Sequence, residues 1–129
     1  MKIIKSTTEW KAKLSPESYY VLREHGTERA GSSPLNNEKR FGTFVCQGCD
    51  NALFSSEAKY ESGTGWPSFY APVTNQSVTE HSDRKWFMNR TEVRCADCDG
   101  HLGHVFKDGP KPTGLRYCMN GAALLFKAS

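Results

Sequence analysis

Five cysteines dominate the chemistry open to this 129-residue chain, and they divide into two pairs and a single. Cys46-Gln-Gly-Cys49 and Cys95-Ala-Asp-Cys98 share one spacing. A two-residue spacer lets one tight turn present two sulfurs to one ion, and zinc takes four thiolates tetrahedrally. Two such turns close the shell, so Cys46, Cys49, Cys95 and Cys98 are expected to hold a structural zinc with no open position. Gly48 is expected to supply positive φ in the first turn. The alternatives are four unrelated thiols or two disulfides. A redox pair would open a helix, whereas here a strand is expected to run into each pair.

Cys118 then stands alone in Arg116-Tyr-Cys-Met-Asn120. On a strand, a period of two puts Arg116, Cys118 and Asn120 on one face. A cation and an amide beside a thiol favour the thiolate, the nucleophilic form; the other reading is a buried, inert cysteine. His101-Leu-Gly-His104 places two imidazoles just past the second pair, with Gly103 expected to bend the chain and aim both at one cleft. Imidazole can give a proton to a reacting oxygen or take one from a thiol. The alternatives are zinc ligation, although four cysteines already satisfy the metal, and hydrogen-bonded structural histidines. Gly63-Thr-Gly-Trp-Pro-Ser-Phe69 permits a close turn with Trp66 at its tip, either a pocket wall or a core aromatic. His25 and His81 fall at an expected helix end and in an expected loop, and are given no role.

These groups need a frame. Ser6 or Thr7 can cap a first helix with Glu9 in its first turn and Trp10 and Leu14 on one face. Ser15-Pro16 restarts the pattern, with Tyr19, Tyr20 and Leu22 expected buried and Gly26 as the stop. Residues 31 to 40 are expected to form a loop. Beyond it the character is β: Phe41 to Val45, Ser82 to Arg94, and a last strand from Leu115 to Phe126. Eleven Gly and six Pro favour short strands and many turns.

Composition excludes several classes. The length suits a single domain, 1–129. A net charge of +3, with no basic run beyond Lys39-Arg40 and Arg84-Lys85, argues against a nucleic-acid binder. Residues 1–6 lack the apolar stretch of a secretory signal, and nothing is long and apolar enough to span a bilayer. Closely paired cysteines suit a reducing compartment, so a soluble, cytoplasmic protein is expected.

Taken together, Gly26-Thr-Glu28, Ser62-Gly-Thr-Gly-Trp-Pro-Ser-Phe69, His101-Leu-Gly-His-Val-Phe106, Arg116-Tyr-Cys-Met-Asn120 and the two cysteine pairs resemble the methionine-R-sulfoxide reductases, the B-type enzymes. The likeness runs from about Thr8 to Phe126. It implies a mainly β fold of two antiparallel sheets forming a barrel-like core, with short N-terminal helices and zinc away from the active site. It implies Cys118 as nucleophile, His101 and His104 as active-site histidines with His104 closest to acid catalysis, Trp66 packed on the substrate methyl, and Asn120 and Arg116 beside the substrate. The substrate implied is methionine-R-sulfoxide, free or in oxidised proteins. The chain is expected to act as a monomer.

One departure stands out. Many relatives carry a resolving cysteine where this chain has Thr64, and others near Gly31-Ser-Ser33, where it has serine. A Cys118 sulfenic acid would then need an external thiol such as thioredoxin or glutathione. The rival readings are a zinc-supported binding module and a zinc-ribbon nucleic-acid binder. Both leave Cys118 and the histidines dispensable.

Overall fold

The computed structural model describes residues 3–85 and 88–129. Ser6 caps α1 (Thr7–Lys13): its hydroxyl accepts the Glu9 N–H while the Glu9 carboxylate accepts the Ser6 N–H. Two donors that the helix start would orphan are thereby satisfied. Ser15 caps α2 (Pro16–Glu24), with Pro16 where its missing N–H costs nothing. The buried stripe of α2 is Ser18, Val21 and Leu22, at the i, i+3, i+4 spacing of one helix face. That stripe leaves Tyr20 50% exposed, contrary to expectation. Nor does Gly26 end the helix. His25 takes the left-handed cap with φ 57°, and the Tyr20 ring covers Gly26 so closely that a Cβ has no room.

The expected pair of antiparallel sheets is present. The smaller has the order β2 (Ala52–Ser55), β1 (Gly42–Cys46), β9 (Leu124–Ala128). The larger runs β3 (Lys59–Tyr60), β4 (Ser68–Phe69), β8 (Arg116–Met119), β7 (His101–Phe106), β6 (Met88–Cys95), β5 (Val78–Lys85). In this hydrogen-bond order both sheets are open, each with two edge strands. Their inner faces meet through aromatics. Phe54 of β2 stacks on Phe69 of β4 with centroids 4.4 Å apart, and Phe44 of β1 meets Phe69 edge-on at 5.1 Å. All three are fully buried, so truncating one to Ala would cost roughly 3–5 kcal/mol.

Three expected β or loop segments divide differently. Ser82 to Arg94 is not one stretch but the two arms of the β5–β6 pairing, with β5 beginning at Val78; residues 86 and 87 between the arms lie outside the described residues. His81 consequently sits on β5 and not in a loop. The last strand breaks at Asn120, because β8 belongs to the large sheet and β9 to the small one. A 3₁₀ turn over Gly121–Ala123 carries the chain across. The loop from 31 to 40 contains a 3₁₀ turn at Pro34–Asn37, capped by Ser33.

Candidate active site

Cys118 lies inside the large sheet, opposite Ser68 of β4 on one side and His104 of β7 on the other. Tyr117 and Met119 point into the core, so alternation turns Arg116 and Cys118 to the other face, as the residue pattern predicts. Cross-strand neighbours have Cβ atoms about 5 Å apart, which makes His104 the imidazole nearest in the pairing to the thiol. Gly103 makes this closeness feasible: a Cβ there would collide with the Cys118 carbonyl.

His101 and His104 are three apart, and a regular strand would send them to opposite faces. No bend at Gly103 solves this. Instead β7 holds one extra residue: Glu92 pairs with His104 and Arg94 with His101, so Leu102 and Gly103 together span the one position of Val93. Such a bulge re-aims side chains. It brings the two rings edge to face with centroids 5.5 Å apart.

A cavity of about 120 Å³ opens over Cys118, lined also by Thr27, Trp66, Arg90, Gly103, His104, Phe106 and Asn120. Pockets that enclose whole small ligands run to ~300–1,000 Å³, so this one suits the end of a side chain. Trp66 stands as its wall on the expected glycine turn, with Gly63 at φ 75° and Gly65 at φ 92°. Gly65 presses on Ala30 and Gly31, and its carbonyl accepts the Gly31 N–H at 2.7 Å. The Trp66 indole N–H donates to the Glu28 carbonyl at 3.0 Å, which fixes the ring. Asn120 is clamped as well: its oxygen accepts the Glu28 N–H and its amide donates to the Leu102 carbonyl.

Electrostatics modify the reading of Cys118. Burial pushes its thiol up, and the Arg116 charge and hydrogen bonds from Thr64 and Arg116 only partly oppose this. The expected help towards thiolate exists but is outweighed. Arg116 is itself shared: its guanidinium pairs with Asp108 at 2.9 and 3.2 Å and covers the Phe106 ring at 4.4 Å. It flanks the thiol without lining the cavity. Burial lowers the pKa of His104, although Asp83, accepting from Nε2 at 2.7 Å, works to raise it. His101 lies outside the cavity, buried against Glu92 at 2.7 Å.

Sequence reasoning missed Thr27, Arg90 and Phe106 on the wall, and Asp83 and Glu92 behind the histidines. Thr27 and Phe106 stand inside motifs already singled out, a usable signal. Arg90 and Asp83 come from a charged strand pair where nothing marks them off from solvated charge.

The two cysteine pairs converge elsewhere, where β1 ends at Cys46 and β6 ends at Cys95. The four sulfurs lie within 4.8 Å of one another, with Cys46–Cys98 at 3.6 Å and Cys49–Cys95 at 3.5 Å. Tetrahedral zinc with bonds of about 2.3 Å needs sulfurs roughly 3.8 Å apart, so the donor set fits. Positive φ falls on Asp50 (65°) and Asp99 (62°), one residue past each pair, and not on Gly48. Gly48 instead packs close to a ring: a Cβ there would sit 3.2 Å from Trp10, which would have to give by a few tenths of an ångström. Arg23 reaches from α2 over Trp10 to the Cys98 carbonyl at 2.9 Å. The helices thus cover the cysteine site.

Comparison with known proteins adds an independent line. Residues 14–128 match the SelR domain family. A protein of Bradyrhizobium diazoefficiens is 57% identical over 123 residues, covering 95% of this chain and 88% of its own. One of Pseudomonas putida is 56% identical over 126 residues, covering 98% and 95%. One of Agrobacterium fabrum is 52% identical over 126 residues, covering 98% and 93%. Each is named peptide methionine sulfoxide reductase MsrB.

Proposed function

The chain belongs to the SelR-domain family of methionine-R-sulfoxide reductases, oxidoreductases acting on sulfur, and from that premise we propose that Cys118 reduces the R epimer of methionine sulfoxide in oxidised proteins. The observation that carries this reading is that Cys118, His104 and Trp66 line one small cavity. The whole chain, 1–129, serves as one catalytic domain.

In the free enzyme, burial favours a neutral thiol at Cys118 and a neutral imidazole at His104. One proton is therefore available between them. With Nε2 held by Asp83, Nδ1 is the nitrogen left to take the thiol proton and deliver it to the sulfoxide oxygen. The thiolate attacks the sulfoxide sulfur as that oxygen is protonated. A sulfur–sulfur bond forms, the hydroxyl passes to the Cys118 sulfur, and methionine leaves reduced by two electrons. Cys118 ends as a sulfenic acid. Trp66 packs on the substrate methyl, so that only one configuration at sulfur presents its oxygen to His104. One N–H of the Asn120 amide remains for the substrate after the Leu102 bond. Arg116 and His101 support the site from its flanks.

Regeneration needs an outside thiol, because Cys46, Cys49, Cys95 and Cys98 are gathered at the metal site. One thiol displaces water from the sulfenic acid, giving a mixed disulfide on Cys118, and a second releases the cysteine. Thioredoxin is the reductant this chemistry suits in a reducing cytoplasm. Zinc would be held by Cys46, Cys49, Cys95 and Cys98 and would supply structure and not chemistry to the reaction.

The test is a chiral assay with racemic N-blocked methionine sulfoxide and dithiothreitol, following each epimer by chromatography. Loss of the R form alone is expected, with Cys118→Ser inactive and its zinc content unchanged. Turnover by Cys118→Ser, or consumption of the S form, would overturn the assignment.

A further inference from the structure

Behind the reaction cavity lies a second, more polar cavity of about 520 Å³, which shares Thr27, Arg90 and His104 with the first. Three side chains with metal-ligand chemistry face one another on its wall. His25 Nδ1 lies 2.9 Å from Glu92 Oε2, and His101 Nδ1 lies 2.7 Å from the same oxygen. All three ligand atoms are within 4.8 Å of one another. From this convergence we propose that His25, Glu92 and His101 form a second divalent-cation site, separate from the four cysteines and selective for a zinc-class ion.

Two imidazoles and one carboxylate, with the cavity supplying water for the fourth position, are a donor set suited to zinc. Nitrogen and oxygen ligands of a tetrahedral zinc stand roughly 3.3 Å apart at bonds of about 2.0 Å. The present nitrogen–oxygen separations need to open by about half an ångström to reach that. Each Nδ1 proton now directed at Glu92 would move to Nε2 of its own ring as the ion enters, a change of tautomer that leaves both imidazoles neutral, the form that ligates a metal. Arg94 holds the other Glu92 oxygen at 2.9 Å, which turns Oε2 towards both rings, the part an outer partner plays in orienting a ligand.

The ligands also sit on ordered elements. Glu92 and His101 stand on the adjacent strands β6 and β7, and the bulge at Leu102 aims His101. His25 occupies the left-handed cap of α2, a position where glycine or asparagine is the ordinary choice. There the backbone conformation directs its imidazole onto Glu92 and over the His101 ring, with centroids 5.4 Å apart.

The site can be tested by equilibrium dialysis against Zn²⁺ with metal analysis. Cys118→Ser protein carrying its four-cysteine zinc removes the one other thiol that could capture an ion. A second, weaker equivalent should bind, and His25→Ala should weaken it at least tenfold. Glu57→Ala, on the exposed turn between β2 and β3 and across the large sheet from β6, should leave it unchanged. Co²⁺ in the second site should give ligand-field absorption without the sulfur charge-transfer bands of the cysteine site. The His25 side chain is 46% exposed and outside the core, so its replacement leaves the core intact. Absence of a second equivalent overturns the proposal, as does one that survives His25→Ala, is lost in Glu57→Ala or carries sulfur charge-transfer bands.

Discussion

The side-chain oxygen of Asn120 accepts the backbone N–H of Glu28 at 2.9 Å, and the Glu28 carboxylate in return accepts the N–H groups of Gly121 and Ala122 at 2.8 and 2.9 Å. This reciprocal clasp joins the segment after α2 to the crossing between the two sheets. It also fixes Trp66, whose indole donates to the Glu28 carbonyl. Glu28 is 6% exposed, so truncation would orphan buried donors, at ~1–3 kcal/mol each. Glu28→Ala should therefore lower the thermal midpoint by several degrees and reduce kcat/KM, whereas Glu28→Gln, which keeps one acceptor, should lose less of both. Equal losses in the two variants would show that the clasp acts through volume and not hydrogen bonding.

Cys118 should be slow to react at neutral pH when no substrate is bound. Burial raises its pKa above the ordinary thiol value, with Arg116 and Thr64 pulling the other way. Thiolate is the reactive form, so the alkylation rate with iodoacetamide should climb with pH through the alkaline range and level off only above the ordinary cysteine pKa. Arg116→Met removes a charge that favours thiolate and should move the curve further up. A plateau reached below pH 7 would mean that the thiolate already dominates in the resting enzyme.

How much of this was legible depended on how the partners are connected along the chain. The paired cysteines, the Trp66 turn and Cys118 carry their signals within a few neighbouring residues, and strand alternation alone places Arg116 and Cys118 together. The bulge at Leu102 has no such signature, because it exists only in the pairing of β7 with β6. Asp83 beside His104 and Glu92 beside His25 depend on register between segments distant in sequence, which local patterning does not encode. The break at Asn120 was hidden for a similar reason. Apolar residues continue on both sides of it, and only the separate partners of β8 and β9 divide them.

Thr64 offers a test of the reductant. Its side chain is near enough to Cys118 to favour the thiolate, and its hydroxyl hydrogen-bonds to Ser62 at 2.8 Å. A thiol placed there would meet the sulfenic acid before any outside reductant. Thr64→Cys should end a single turnover with an intramolecular disulfide, seen as two thiols lost per methionine formed and as a mass two hydrogens lighter. The parent protein should lose one thiol and add one oxygen. Identical products from the two would place residue 64 out of reach of Cys118 during turnover.

Removing the ion from the four-cysteine site should unfold the scaffold before it touches the chemistry. Cys46, Cys95 and Cys98 are buried, and without a cation their sulfurs share protons instead of charge. Hydrogen bonds from the neighbouring thiols then push Cys46 up and Cys95 down. Structural zinc in small peptides is worth ~10–16 kcal/mol, and even a few kcal/mol shifts a midpoint by about 10 °C in a chain of this size. Chelation, or Cys95→Ser, should therefore lower the thermal midpoint by more than ~10 °C and abolish turnover as a consequence. Zinc restored to chelated wild-type protein should recover both together. A metal-free protein that keeps its midpoint but loses turnover would instead tie the ion to the reaction itself. One that keeps both would remove the four cysteines from any account of stability.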